Sequence, residues 1–454
     1  MREAAESGAV RDGAGRREPF GTGPGPAATQ GGSAGRGAPL DGLRVVDFTR
    51  VFSGPFATQL LAALGAEVVK VERPDGGDEA RDYGNRPDPA SPGPPFLAMN
   101  HTKKSVAVDL KDPAGRAVAR RLIDTADVLV ENFRPGVMDR LGLGYDEVAV
   151  GNPALVYCSI TGFGGTGPLA NRAANDLSVQ ALSGLLSMTG EPDRPPVRTP
   201  APLGDLMAGM FAAVGVLAAL REREQSGAGQ HVATSMFEAQ LNTLNYFYVD
   251  YWLNGTVPRP MGTANGLGLP NQAFRTSDGW VCVTSSNERA WRRLCTALDI
   301  PECAEDPRFA TLRDRYAHRP ELVAALSEAT GRLSTADCVA RLDAAGVSNS
   351  PVRDLPEAAA EPQLQAVDAV LTVPVEGLGD VRLVAAPLHF SASSRPTATP
   401  PPALGADTGS VLAGLGYAPA EIADLVAAGT VRADGSVDAD GSGGTPSGTG
   451  TSGP

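Results

Sequence analysis

LRVVDFTRVFSGPFATQLLAALGAEVVKVE, residues 43–72, decides the fold. LRVVDF is a short, almost wholly apolar run of strand length. TRVFSGP follows as a loop, and FATQLLAALG has helical spacing closed by Gly65. AEVVKVE is a second strand. Strand, helix and strand in about 30 residues make a βαβ unit, and continuous rather than alternating apolar strands belong in a sheet buried on both faces. The pattern repeats outward: SVAVDL (105–110), a helix from Pro113 capped by Asp112, VLVEN (128–132) and ALVYCSI (154–160). The expected fold class is therefore α/β, a doubly wound, mostly parallel (Rossmann-like) sheet with ligands at the carboxyl ends of its strands.

Beyond these units, LMAGMFAAVGVLAALRERE (206–224) predicts a helix buried over Leu206–Leu220 that surfaces near Arg221, and GAGQHVATSM predicts a turn and strand. Residues 254–272 are dense in Gly, Pro and Asn and mark a loop or passage between domains. A second unit starts after it, with a strand at 279–285 and helices around 287–298 and 320–345. Hairpin strands are expected over 369–388, and two short helices end the folded chain. The organisation read from this is a large domain over 40–225, a linker over 226–262, a smaller α/β domain over 263–355, and a return to the large domain over 369–432. Residues 1–39, with 14 Gly or Pro, and residues 433–454 are expected to be disordered tails.

The 454 residues are 42% hydrophobic and 20% charged, a globular balance. Net charge is -13; the first 39 residues carry +1 and the last 22 carry -3, which leaves -11 in the body. That sign disfavours nucleic acid as a partner. Cys158, Cys282, Cys295, Cys303 and Cys338 form no C-x-x-C pair, so neither a zinc site nor a disulfide framework is expected, and a reducing cytoplasm suits them. No apolar run reaches the roughly 18 residues of a membrane span, so no membrane partner is expected.

Glu72 ends the second strand, where an acidic residue would meet a ribose, yet the first turn lacks the glycines of a dinucleotide site. Gly162, Gly164 and Gly167 match G-x-G-x-x-G without opening a helix at once, which reads as a tight turn. His101, His231, His318 and His389 are dispersed and have no histidine partner at helical spacing, which gives no support to a metal centre or a triad. Asp205 is delivered by Pro202-Leu203-Gly204 to the start of the long helix. There the macrodipole would keep it ionised, and Gly204 would allow a substrate close; the residues alone leave open a helix cap or a nucleophile.

Six segments in order, LDGLRVVDFTRVFSGPFATQLLAALGAEVVKVERPDGGDEAR, NHTKKSVAVDLKDPAGR, ADVLVENFRPGVMDRLGLGYD, ALVYCSITGFGGTGP, LGDLMAG and GQHVATSM, resemble the family III (CaiB/BaiF-type) CoA-transferases over residues 40–431. The resemblance implies that Asp205 is the nucleophile. It would carry CoA between a donor acyl-CoA and an acceptor carboxylic acid through an aspartyl anhydride and an aspartyl-CoA thioester. It further implies an interlocked homodimer, no metal, and CoA contacts at Val51, Phe52, Ser53, Arg73, Val108, Lys111, Asn132, Phe133, Arg140 and Met236. Gly266 and Gly268 correspond to the loop that covers the intermediates, though the longer glycine run of formyl-CoA transferases is absent. Acyl-CoA racemases of this family use a His where AANDL has Asn175; Asn cannot shuttle a proton, so racemisation is disfavoured and Asn175 is assigned to the acyl group.

Overall fold

The computed structural model describes residues 37–89, 91–266, 268–285 and 287–433. The expected tails lie almost entirely outside them. Six strands form the parallel body of the central sheet: β1 (Arg44–Asp47), β2 (Glu67–Glu72), β3 (Lys104–Val108), β4 (Val128–Glu131), β5 (Val156–Thr161) and β6 (His231–Ser235). Their spatial order is β3-β2-β1-β4-β5-β6, so the winding reverses between β1 and β4. In such a sheet the loops after those two strands diverge and leave a crevice at the carboxyl edge.

Successive residues of each strand feed opposite layers. Val45, Val68, Val130 and Val156 pack with Ala208, Ala212 and Val216 of the long helix on one face. Val46, Val69, Val106 and Leu129 pack with Val118, Leu122, Leu412 and Ile422 on the other. The double burial explains why these strands read as unbroken apolar runs.

The long helix spans Leu203–Ser226 and ends on Gly227 in the left-handed conformation. By length and composition alone it would suffice to cross a membrane, but its small-residue face is packed against helix Ser53–Ala63 and the sheet. It differs from the expected buried cylinder in one respect: Met210, Phe211 and Val214 are exposed, because only the Ala/Gly face meets the core of this chain.

A three-stranded antiparallel sheet, β7 (Asn271–Arg275), β8 (Trp280–Thr284) and β9 (Ser348–Pro351), has a core of its own around Phe274, Val281, Trp291, Leu294, Leu322 and Leu342. A hairpin, β10 (Val370–Val375) and β11 (Gly379–Val384), follows. The chain then returns to the large sheet, where β12 (Val431–Arg432) pairs antiparallel with β3 and makes the seventh strand.

Candidate active site

The crevice between β1 and β4 is occupied at its base by polar side chains. Asn132, just after β4, accepts from the Arg50 amide at 2.9 Å and donates to the Arg50 carbonyl at 2.8 Å, tying the two diverging loops together. Asp47, fully buried, accepts from the Thr49 amide and hydroxyl at 2.8 and 2.5 Å, from the Thr58 hydroxyl at 2.6 Å and from Lys103 at 3.1 Å. Burial alone would raise its pKa, but the Lys103 and Lys70 charges and both hydroxyls outweigh it and bring it down to about 2. Burial likewise pulls Lys103 down to about 8 against the attraction of Asp47.

Glu72 is not available to a ribose. It is buried, accepts from Arg81 at 2.8 and 2.6 Å, from the Ser105 hydroxyl at 2.6 Å and from the Asp78 amide at 3.0 Å, and so serves the interior. Gly162 has a packing reason: a Cβ there would lie 2.1 Å from that of Ala174, so the missing side chain lets the segment leading to Asn175 approach β5, while Gly164 and Gly167 take the positive φ of a turn.

Two cavities open above this base. The larger, about 680 Å³, is lined by Val51, Phe52, Ser53, Asn132, Asn175, Asp176, Arg172, Arg198, Met236 and Asp205 among others. The smaller, about 270 Å³, is lined by Arg73, Val108, Lys111 and Val137 among others; Arg50 and Phe133 belong to both linings. The Arg50 guanidinium sits 5.0 Å from the Phe133 ring centre, where the two cavities meet. The larger cavity thus holds Asp205 together with Arg134, Arg172 and Arg198, and the smaller holds Arg73 and Lys111 together with Asp78 and Asp109.

Asp205 lies in the first turn of helix Leu203–Ser226, whose cap position is Pro202, so it is no N-cap. Nor does the helix start keep it ionised. Burial, and then the nearby charge of Asp176, raise its pKa to about 7, while the hydroxyl and amide of Ser53 pull in the other direction. Asp176 accepts from the Gly204 amide at 2.8 Å and from Gln180 at 2.6 Å, which fixes it beside the same turn. The open face of Gly204 is filled by Asp176 and Val179 rather than left for a substrate. A carboxyl group balanced near neutrality, in a cleft with donors opposite, has the chemistry of a nucleophile that is neutral in part until it is used.

The CoA-transferase family III model matches residues 40–408. The chain belongs to CoA-transferase family III. It is 35% identical over 394 residues to the human succinyl-CoA:glutarate CoA-transferase, covering 87% of this chain and 90% of that one. It is 41% identical over 329 residues to the acetyl-CoA:oxalate CoA-transferase of Acetobacter aceti, covering 72% and 84%. A CaiB/BaiF family protein from Brucella suis has the same fold, with a TM-score of 0.76 at 35% identity over 84% of this chain and 100% of that one.

Most positions carried over from this transferase family by sequence fall along the two cavities. Val51, Phe52, Ser53, Asn132, Phe133, Asn175, Met236 and Asp205 line the larger; Arg73, Val108, Lys111 and Phe133 line the smaller. Asn175 caps helix Asp176–Leu182, accepting from the Ser178 amide at 2.9 Å, which engages Oδ1 and leaves Nδ2 out of the cap. Arg140 lies outside both linings, on the short helix Val137–Arg140 beside Gly136. Gly266 and Gly268 are not brought to Asp205 within one chain: they precede β7, where the Gly266 carbonyl accepts from the Tyr316 hydroxyl at 2.5 Å. Sequence reasoning missed Asp176, Arg172 and Arg198. Asp176 adjoins Asn175 in AANDL, which was the available signal; the two arginines had none.

His231 donates or accepts at Ser159 (2.9 Å) and stacks on Tyr145, and no histidine lines the Asp205 cavity. Among the described residues, no group of three or more His, Cys, Asp or Glu is arranged to hold a metal ion.

Proposed function

We propose that this family III CoA-transferase moves CoA between two carboxylic acids through covalent intermediates on Asp205, with acyl-CoA as donor. The observation that carries the reading is a cleft carboxyl group poised at about 7 and faced by the Ser53 amide and hydroxyl, in a cavity that shares Arg50 and Phe133 with a second one lined by Arg73 and Lys111. That shape and polarity suit a long thioester with phosphates at one end. Ionised Asp205 attacks the thioester carbon; the C–S bond breaks, giving an acyl-aspartyl anhydride and CoA thiolate. The thiolate then attacks the aspartyl carbonyl, releasing the donor acid and leaving an aspartyl-CoA thioester. An acceptor carboxylate repeats the two steps in reverse order and leaves as its CoA thioester, with no net proton or electron change. The Ser53 amide, at the start of helix Ser53–Ala63, is a donor suited to the oxyanions formed at Asp205.

The CoA phosphates are assigned to Arg73, Lys111 and Arg140, and an acyl carbonyl to Asn175. Gly266 and Gly268 are assigned to cover over the intermediates, a role that requires the loop of a second chain or a movement of its own. The interlocked homodimer remains part of this reading, supported by helix Asn245–Asn254, which has no buried residue and exposes Tyr246, Val249, Tyr251, Trp252 and Leu253.

The deciding experiment is intact-protein mass spectrometry after mixing with an acyl-CoA, followed by peptide mapping. A CoA or acyl adduct on Asp205 is expected, and Asp205→Ala should abolish both adduct and exchange while CoA binding stays within a few-fold. Exchange retained by that variant would refute the assignment. A racemase would instead wash solvent deuterium into the α-carbon with no acceptor acid present.

A further inference from the structure

The loop between β1 and helix Ser53–Ala63 is held by side chains rather than by a ladder. The Thr49 amide donates to Asp47 at 2.8 Å, and the Thr49 carbonyl accepts from Lys70 Nζ at 2.8 Å. The Arg50 amide and carbonyl are both taken by Asn132. The Val51 amide donates to the Asp78 carboxylate, at 3.0 and 3.3 Å to its two oxygens. Lys70 and Asp78 themselves form an ion pair of 2.9 Å with both side chains wholly buried. Between these anchors Val51 has φ +69, a left-handed conformation that a branched Cβ strongly disfavours. Two residues later comes Ser53, whose amide and hydroxyl face Asp205.

We infer that the buried Lys70–Asp78 pair is a positioning device for the transfer reaction: it clamps Thr49 and Val51, enforces the left-handed turn, and thereby presents Ser53 to Asp205. The inference rests on Asp205 being the nucleophile. Lys70 lines neither cavity and acts through the loop, whereas its partner Asp78 also lines the smaller cavity. A buried ion pair is weak evidence for stability as such, because desolvation of both charges offsets their attraction, whereas strain persists only where the surroundings over-determine it. Here the over-determination falls on the one turn that leads into the nucleophile's donors.

A double-mutant cycle tests this, reading the rate of Asp205 adduct formation with an acyl-CoA in rapid-quench mass spectrometry. Lys70→Met in the otherwise native chain should slow the adduct by about 10- to 100-fold, since a turn disfavoured by strain of this kind is then rarely populated, with CoA affinity changing by less than about fivefold. In a Val51→Gly background, where a positive φ carries no steric penalty, the same Lys70 substitution should slow it by only about threefold. A purely structural role for Lys70 would give equal losses in both backgrounds, and that result, or a native rate in folded Lys70→Met, overturns the inference. If Lys70→Met does not fold, Asp78→Asn keeps the volume and an acceptor oxygen while removing the charge, and is run through the same cycle at saturating acyl-CoA, because Asp78 also lines the smaller cavity. No adduct on the native chain would bring down the Asp205 reading and this inference with it; adduct without coupling brings down the inference alone.

Discussion

With Asp205 as the proposed nucleophile, Asp205 and Ser53 set the expected pH behaviour. The carboxyl group must be ionised to attack, and burial together with Asp176 has raised its pKa from near 3.8 to about 7. In the free enzyme kcat/KM for the acyl-CoA is therefore expected to rise about tenfold per pH unit below 7 and to level off above it. Ser53→Ala removes a hydroxyl that favours the ionised form, so the midpoint should move to higher pH and the rate at pH 7 should fall; an unmoved midpoint would show that Ser53 does not act on Asp205. Stability responds with the opposite sign. The folded state holds this proton up to about 7 while the unfolded chain releases it near 3.8, so the contribution of the neutral acid is complete below 3.8 and is lost as pH rises through 7. Asp205→Asn should thus leave stability at pH 4 nearly unchanged and raise it at pH 8 by ~1–4 kcal/mol, seen as a higher Tm in thermal unfolding at the two pH values.

The element that carries Asp205 is registered against the element that carries Ser53 by a glycine. Gly209 of helix Leu203–Ser226 faces helix Ser53–Ala63 so closely that an added Cβ would stand 2.4 Å from the Ser53 carbonyl oxygen and 3.0 Å from the Phe56 ring. The nearest obstacle is backbone, so it cannot rotate away. Gly209→Val should force the two helices apart, lower stability by roughly 1–3 kcal/mol, and slow adduct formation on Asp205 by more than the loss of folded protein explains. Circular dichroism on heating, combined with mass spectrometry of the folded fraction, separates the two effects. Ala208 and Ala212, buried one turn apart in the same helix, show why small residues dominate here: the helix meets both its neighbour and the sheet at short range.

At the scale of the molecule, one chain leaves unpartnered apolar surface in several places. Trp252 and Leu253 are 73% and 76% exposed, and Val214 on the long helix is 55% exposed. Exposed apolar surface on this scale supports the proposed dimer. Sedimentation or light scattering should give twice the chain mass of 46.7 kDa at micromolar concentration, and Trp252→Glu with Leu253→Glu should shift the species toward monomer or into aggregates. A native chain that sediments as a monomer would remove the dimer from the proposal, and with it the simplest route by which Gly266 and Gly268 reach an Asp205.

Local sequence was enough for the elements and for their class. Period and run length are properties of neighbouring residues, so LRVVDF, AEVVKVE, VLVEN and the 206–224 pattern each carry their own structure, and Asp205 was proposed as nucleophile from a short motif that resembles the family's. The carried-over residues that line the two cavities share that origin. What the sequence could not hold were properties that arise between segments brought together only by folding: Glu72 drawn inward by Arg81 and Ser105, Val51 turned left-handed by Lys70 and Asp78, and a carboxyl group whose pKa is raised to about 7 by burial and by Asp176. Desolvation and charge pairing depend on distance in space, and only the folded chain supplies that distance.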